Sequence, residues 1–288
     1  LFRSKVIDRD EVVLEIFDIN ARTKESRLQI ELARLALQSN LIRKEIGQHL
    51  DEKQGRDFMG KGMPGWAPVA RAFTSRRKKI LTELKDIAQA RNLRRKQRSK
   101  FFNIGIIGYT NAGKTTLLNA LAKESLETAN QEFTTVTTTS RRVKLPTYDE
   151  YGRFIGEEVI FTDSVGFIYD ISHFLIEAFL STLEELQFSD LIAIVVDIAD
   201  KQEERLFLKI DTSFSVMGQI GANNIPRVFI FNKADSVETT IRDNRIQAIH
   251  EKYPNIPYAV ISAANRTGFD ALTAMLLEQK KKIRISTH

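Results

Sequence analysis

Apolar positions in the first hundred residues recur at helical spacing and predict two long helices. Leucine and isoleucine at 28, 32, 35, 42 and 46 follow one another at intervals of four, three, seven and four, which predicts a helix over residues 21–50. A second stripe, Ile80, Leu84 and Ile87, predicts another helix within residues 76–100. Two helices with narrow apolar seams indicate an antiparallel hairpin. Residues 1–20 show only a short extended piece at 5–7 and a mixed apolar run over 12–19.

From Phe101 onward, short apolar runs alternate with amphipathic stretches. The predicted strands are residues 103–108, 141–148, 157–163, 191–197, 227–232 and 258–262. Helices are predicted to begin near Gly113, Ser172, Lys201, Glu238 and Gly268. This alternation predicts an α/β fold with a mainly parallel sheet and helices on both faces. Residues 148–156 leave no room for a helix, so the strand before them is predicted to be antiparallel.

Composition and charge divide the 288-residue chain at about residue 100. Residues 1–100 carry 24 Lys and Arg against 13 Asp and Glu, a net charge of +11, whereas residues 101–288 carry a net −5. We therefore predict a basic helical domain over 1–100, suited to polyanions and to nucleic acid first, and a second domain over 101–288.

Several properties bound the cellular setting. The chain has no cysteine, which excludes disulfides and thiolate metal sites, and no apolar run long enough to span a membrane. It opens with Leu1 and not Met, so we expect a fragment from which a transit peptide could have been lost. We expect the protein to be a monomer in the cytoplasm, or in an organelle if a transit peptide has been lost.

The segment between the two predicted helices, residues 55–73, combines glycines, prolines and the only tryptophan, and basic residues follow it. One interpretation is a flexible tip with a solvated helix start. The other is an RNA-binding element with basic groups for phosphates and an aromatic ring for stacking. The candidate RNA contacts are Lys61, Trp66, Arg71, Arg76, Arg77, Lys78 and Lys79.

The strongest chemical signal follows the first predicted strand and matches the phosphate-loop pattern G-x-x-x-x-G-K-[ST]. Backbone N–H groups of such a loop surround phosphates, and the following helix contributes the positive end of its dipole. Lys114 is expected to reach the β- and γ-phosphates, and the Thr115 hydroxyl to bind Mg²⁺. The expected nucleotide contacts are Gly108, Tyr109, Thr110, Asn111, Ala112, Gly113, Lys114, Thr115 and Thr116.

Three further motifs end later strands and predict a guanine nucleotide. The stretch Asp163, Ser164, Val165 and Gly166 is expected to hold Mg²⁺ through water and to sense the γ-phosphate. In Asn232, Lys233, Ala234 and Asp235, the last carboxylate can accept from two guanine N–H groups that adenine lacks. Ser262, Ala263 and Ala264 can present a backbone N–H to the guanine carbonyl. Ligands bind at such strand ends in doubly wound sheets.

Three further features of the sequence bear on hydrolysis. Residues 133–142 contain five threonines, of which one is expected to bind Mg²⁺ in a first switch; the alternative is a β-prone polar strand. Phe167 cannot orient water, so hydrolysis is expected to be slow or to need a partner. Asn111 can help to hold K⁺ beside the phosphates, or it merely stabilises the loop.

These residues resemble the HflX GTPases. The likeness covers the phosphate loop, the run from Asp163 to Phe167, residues 175–185 and residues 6–33, and thus most of the chain. It implies a Ras-like phosphate-loop GTPase domain behind a helical domain that binds the large ribosomal subunit and its rRNA near the peptidyl transferase centre. It implies GTP hydrolysis to GDP, stimulated by the ribosome, with secondary use of ATP, and a role in splitting or rescuing ribosomes.

The resemblance also selects among the threonines. It aligns the family's F-A-T-L-D with the segment Phe133, Thr134, Thr135, Val136 and Thr137 and assigns Mg²⁺ to Thr135. Lys114, Thr135, Gly166 and Asn111 are then the residues expected to act in hydrolysis.

Two departures from the family pattern concern the interhelical loop, here G-K-G-M-P-G-W over 60–66, and Thr137 with Thr138 in place of Asp-Pro.

Two alternatives stay open: a switch in which the bound state matters and turnover only resets it, and a GTPase that acts in RNA processing or assembly.

Overall fold

The computed structural model describes residues 8–21, 23–51, 66–98, 101–124, 139–147, 151, 153–163 and 184–286. These residues divide into two compact units, with the division of the chain between Gln97 and Arg98. The assignment of separate roles to residues 1–100 and 101–288 stays a prediction.

The first helix among the described residues of the first unit is one that the apolar pattern did not predict. Helix α1 spans Arg9–Asn20 and buries Leu14 and Phe17, whereas Ile16 and Ile19 are exposed on its other side. Because apolar residues lie on both sides of α1, its sequence lacks the single stripe by which an amphipathic helix is recognised. The predicted extended piece at residues 5–7 lies outside the described residues.

Helix α2 spans Lys24–Asp51 and starts three residues later than predicted because of a local cap. The Thr23 hydroxyl accepts from the Ser26 N–H at 3.1 Å, and the Ser26 hydroxyl accepts from the Thr23 N–H at 3.3 Å. This reciprocal pair satisfies two backbone donors where no intrahelical partner exists, as in a capping box. The cap therefore fixes the first turn.

Helix α3 spans Trp66–Arg98 and begins ten residues before the predicted start. The prediction that residues 55–73 form a loop is thus wrong for residues 66–73, and the rest of that segment lies outside the described residues. Pro68 is compatible with this start because it lies in the first turn, where backbone N–H groups have no intrahelical acceptor. The glycines and prolines nearby obscured the helical continuation.

Helices α2 and α3 are antiparallel, which confirms the predicted hairpin. Glu31 pairs with Arg76, and Lys24 pairs with Glu83. A lower residue number on α2 thus goes with a higher residue number on α3, as in antiparallel helices. The seam between the two helices contains the predicted apolar residues: Leu28, Ile80 and Leu84 are buried, and Leu32, Leu35 and Ile87 pack against them.

The described residues of the second unit include a six-stranded sheet in the order β2-β3-β1-β4-β5-β6. All neighbouring strands are parallel except β2 and β3, which are antiparallel as predicted. The strands are β1 Phe102–Gly108, β2 Thr139–Leu145, β3 Glu157–Asp163, β4 Leu191–Asp197, β5 Arg227–Asn232 and β6 Tyr258–Val260. Strands β3, β4 and β5 have the predicted limits. Strand β2 starts and ends earlier than predicted, and β6 is two residues shorter.

Helices cover both faces of this sheet, which confirms the predicted α/β class. They are α4 Lys114–Glu124, α5 Glu203–Gln219, α6 Thr239–Lys252 and α7 Phe269–Ser286, with 3₁₀ turns at Glu184–Phe188 and Ala234–Ser236. Leu118 of α4 and Leu276 of α7 share a buried cluster with Val228 and Ile230 of β5. Phe229, which points to the opposite face, contacts the Phe214 ring of α5 at 6.2 Å between centroids. The helix predicted near Ser172 lies outside the described residues.

We expect the first unit to tolerate truncation at Leu81, outside the hairpin seam, but not at Ile80, within it. Ile80 is fully buried and Leu81 is 41% exposed, although the two are neighbours on one helix. Ile80→Ala should lower the free energy of unfolding of the first unit by roughly 2–5 kcal/mol, because it leaves a cavity. Leu81→Ala should cost less than about 1 kcal/mol. Urea unfolding monitored by circular dichroism measures both, and equal losses would contradict the packing described.

Candidate nucleotide-binding site

The phosphate loop follows β1 and has a shape that only glycine allows at two positions. Gly108 has φ 148°, and a Cβ there would lie 2.3 Å from the Val195 carbonyl oxygen. Gly113 has φ 91°, and a Cβ there would lie 2.2 Å from the Asn232 amide nitrogen. Both glycines therefore let the loop lie against the neighbouring strand ends β4 and β5.

Asn111, at the exposed tip of the loop, has a left-handed backbone with φ 63°. Asparagine tolerates this conformation better than other side-chain-bearing residues. The geometry gives Asn111 a role in loop shape, and its predicted K⁺ contact stays a prediction.

The Lys114 ammonium lies inside the loop, where it donates to the carbonyl oxygens of Gly108 at 2.9 Å and Tyr109 at 3.0 Å. Burial lowers the Lys114 pKa to about 8, and the nearby Asp163 carboxylate partly opposes this shift. A phosphate group would offer stronger acceptors than two carbonyl oxygens, since hydrogen bonds between charged groups are stronger than neutral ones.

Thr115 and Asp163 provide oxygen atoms suited to a magnesium ion. The Thr115 hydroxyl lies 3.4 Å from Asp163 Oδ2 at the end of β3, where the Asp163 side chain is buried. Hydroxyl and carboxylate oxygens are ligands that Mg²⁺ prefers, and it commonly takes its remaining ligands from water and phosphate. The two side chains thus fit the predicted metal.

The Asn232 side chain joins three loops of the site. Its amide nitrogen donates to the Ala112 carbonyl at 2.8 Å, and its carbonyl oxygen accepts from the Ala263 N–H at 2.9 Å. Asn232 is 2% exposed, so water does not compete for these bonds. Residues 232–235, the predicted base-recognition motif, are thereby fixed to both the phosphate loop and the loop after β6.

The remaining base-recognition residues are held by their neighbours. Lys233 has a left-handed backbone with φ 64°, and its ammonium pairs with the Asp197 carboxylate at 2.7 Å. The pKa of Asp235 is lowered, chiefly by a hydrogen bond from the buried Ser262 side chain and further by one from Ser236. Asp235 is exposed and ionised, so its oxygens can accept from a base.

The structure therefore brings together most of the predicted nucleotide contacts at one edge of the sheet: the loop from Gly108 to Thr116, Asp163, residues 232–235 and residues 262–264. Phe133 to Thr137 and Ser164 to Gly166, with Phe167, lie outside the described residues. The sequence did not indicate the contact of Asp197 with Lys233. Its only signal was an aspartate at the end of an apolar strand.

The predicted RNA contacts fall on α3, which starts at Trp66. Arg71, Arg77, Lys78 and Lys79 are exposed on this helix, and Lys61 lies outside the described residues. Arg76 differs because its guanidinium donates to both Glu31 oxygens, at 2.5 and 2.7 Å. This hydrogen bonding and the Glu31 charge raise the pKa of Arg76.

We expect nucleotide binding to take up a proton at Lys114. With a pKa of about 8, roughly three quarters of Lys114 is neutral at pH 8.5 in the free protein, and bound phosphates would restore its charge. Calorimetry of GDP binding in buffers of different ionisation enthalpy should therefore give uptake of about 0.75 proton at pH 8.5 and about 0.2 at pH 7.3. Equal uptake at the two pH values would contradict the lowered pKa.

Comparison with known proteins places these motifs in one family. Residues 103–233 match a family described as 50S ribosome-binding GTPase, and residues 20–98 match the GTP-binding GTPase middle region. The GTPase HflX of Methanocaldococcus jannaschii is 39% identical over 96% of this chain, and that of Thermococcus kodakarensis is 37% identical over 86%. The chain spans 65% and 54% of these two relatives.

Solved structures support the fold. A GTP-binding protein from Sulfolobus solfataricus in complex with GDP has a TM-score of 0.58 at 24% identity, over 96% of this chain and 73% of that chain. A complex of SsGBP with GDP has a TM-score of 0.60 at 24% identity, over 96% and 74%. Sequence similarity across both units, together with the assembled phosphate loop and base-recognition motif, shows that the chain belongs to the HflX family of GTPases.

Proposed function

We propose that this chain binds GTP with Mg²⁺, hydrolyses it to GDP and phosphate, and does so on the large ribosomal subunit, where it splits or rescues ribosomes. The observation that carries the nucleotide part is the meeting of the phosphate loop, Asp163 and Asp235 at one sheet edge. The observation that carries the ribosomal part is the +11 charge of residues 1–100, beside the family relationship.

In this proposal, the chain binds phosphate by exchanging one set of acceptors for another. Lys114 leaves the carbonyls of Gly108 and Tyr109 and donates to the β- and γ-phosphates. Thr115, and Asp163 through water, would hold Mg²⁺, which would neutralise charge on the phosphates. Thr135 and Gly166 are proposed to respond to the γ-phosphate, and Phe167 leaves water orientation to a partner.

Base selection is proposed to rest on Asp235. Its two carboxylate oxygens accept from the N1–H and the 2-amino group of guanine, whereas adenine offers an acceptor at N1 and no 2-amino group. The hydrogen bond from Ser262 favours the ionised form that this role requires. ATP would then bind through its phosphates alone, because adenine cannot donate to Asp235.

The ribosomal contact is proposed to lie on α3. Exposed Arg71, Arg77, Lys78 and Lys79 follow one another along the first turns of this helix. Such side chains neutralise phosphates and release counterions, which gives binding that weakens steeply with salt. We propose that Arg76 stabilises the hairpin and does not contact RNA, because its guanidinium donates to both carboxylate oxygens of Glu31.

Asp235→Asn should exchange guanine for xanthine as the preferred base. An asparagine amide can accept from N1–H and donate to the O2 of xanthine, but it meets the 2-amino group of guanine with a second donor. We expect the GDP affinity to fall by about 100-fold and the affinity for xanthosine diphosphate to rise. Fluorescence titration with labelled nucleotides measures both, and retention of GDP affinity would contradict the assignment.

Charge reversal on α3 should weaken ribosome binding without changing nucleotide binding. In sedimentation with purified large subunits, Arg77→Glu with Lys78→Glu should lower the affinity by at least about tenfold at moderate salt. The matched control reverses two exposed basic residues of α7, Lys281 and Arg284, and should bind as the unmodified chain does.

Three further results, obtained with the unmodified chain, decide between the proposal and its alternatives. Absence of both subunit binding and stimulation of GTP hydrolysis would overturn it. A preference of about tenfold for naked RNA hairpins over subunits would favour the alternative, a GTPase acting in RNA processing or assembly. Equal splitting with GTP and a non-hydrolysable analogue would make hydrolysis a reset step.

Hydrolysis in K⁺ and Na⁺ tests Asn111, and identical rates would leave it a structural residue.

A further inference from the structure

The turn that follows β4, residues 197–200 with the sequence D-I-A-D, carries two aspartates whose lysine partners lead to different parts of the nucleotide site. We call these four residues the β4 turn. Asp197 lies beside Asn232 in the register of β4 and β5, so the turn starts next to the base-recognition motif. Asp200 at its other end faces α5.

Asp197 fixes the direction of the Lys233 side chain. Asp197 Oδ2 accepts from the Lys233 ammonium at 2.7 Å, and Oδ1 accepts from the Ala199 N–H at 3.1 Å. The side chains of Asp197 and Lys233 are 19% and 28% exposed, so the pair is largely shielded from solvent. An extended lysine whose end is anchored presents its methylene stem as a surface on which a ring can lie.

The β4 turn is itself anchored and does not depend on Lys233 for its shape. The Ile198 N–H donates to the Asn232 carbonyl at 3.1 Å. The Arg245 guanidinium of α6 donates to the Ile198 carbonyl at 2.7 Å. The carboxylate of Asp197 is therefore presented from a fixed backbone, as a positioning role requires.

Asp200 connects the same turn to the phosphate loop. Its carboxylate accepts from the Lys209 ammonium of α5, and that ammonium lies 4.8 Å from the centroid of the Tyr109 ring. Tyr109 is the second residue of the phosphate loop, and its carbonyl oxygen is one of the two that hold Lys114. A cation over an aromatic ring is attracted by the ring's negative face, so Lys209 restrains Tyr109.

A third lysine–aspartate pair shows what a purely structural contact looks like here. Asp211 of α5 accepts from Lys252 at the end of α6 and from the Tyr253 hydroxyl. These partners belong to no predicted nucleotide contact. The two pairs of the β4 turn differ, since each leads to a residue that the nucleotide site uses.

We propose that Asp197 and Asp200 are positioning residues for the nucleotide. Asp197 holds the Lys233 stem across the base, and Asp200, through Lys209, holds Tyr109 and with it the phosphate loop. This inference rests on the proposed roles of Lys233 and Asp235 in base binding. It assigns the two aspartates different effects, one on the base and one on the phosphates.

The test compares a ligand with a base and a ligand without one. Dissociation constants of GDP and of inorganic pyrophosphate, which lacks a base, are measured for Asp197→Asn, Asp200→Asn and Lys209→Met. Asp197→Asn should weaken GDP by about tenfold and leave pyrophosphate within about twofold. Asp200→Asn and Lys209→Met should weaken both ligands by the same factor, about three- to tenfold. Asp211→Asn is the matched control and should change neither.

A double-mutant cycle keeps the proposal falsifiable if single variants lose stability. Asp197→Asn should have no further effect on GDP binding in a Lys233→Met background, because Asp197 acts through Lys233. Additive losses, or equal losses of GDP and pyrophosphate in Asp197→Asn, would overturn its role. Asp235→Ala separates the assumptions: unchanged GDP binding would overturn the base assignment itself. Loss of GDP in Asp235→Ala but not in Asp197→Asn would overturn only the positioning role.

Discussion

One buried amide holds the nucleotide site together. Asn232 donates to the phosphate loop and accepts from the loop after β6, and both bonds are shielded from water. Gly113 makes this possible, because any side chain there would occupy the position of the Asn232 nitrogen. Loops that are distant in sequence are thus placed by a single uncharged side chain. Their relative position varies little with salt or pH, since the bonds carry no net charge.

The two units solve the problem of stability in different ways. The second unit buries apolar residues on both faces of a mainly parallel sheet, which gives a large core under a small set of loops. Between α2 and α3 of the first unit, the residues that the structure describes form a narrow apolar seam, with ion pairs such as Arg76 with Glu31 along it. Much of the surface of α3 is left for charge, which suits recognition better than packing does.

The sequence predicted the core of the sheet well, and the limits of the helices less well. Strands β3, β4 and β5 have the predicted ends because their apolar runs stop sharply at Asp163, Asp197 and Asn232. The motifs at those ends lie at one edge of the sheet, as predicted, because parallel strands bring their carboxyl ends to one edge. Their contacts with a nucleotide stay a prediction. Helix α1 escaped prediction because its apolar residues face two ways. The pairs of Arg76 with Glu31 and Asp197 with Lys233 join residues 45 and 36 positions apart, beyond the reach of local patterns.

The position of Lys114 gives the site an internal competitor. The lysine that is proposed to grip the phosphates already has two acceptors of its own, the carbonyls of Gly108 and Tyr109. Nucleotide affinity is then a difference between two sets of hydrogen bonds, and changes that weaken the inner set strengthen apparent binding. When a nucleotide departs, the same two carbonyls can accept from Lys114 in place of the phosphates. The loop can therefore release its ligand without leaving the buried ammonium group without acceptors. The hydrogen bonds of Lys114 within its own loop therefore bear on how readily one nucleotide is exchanged for another.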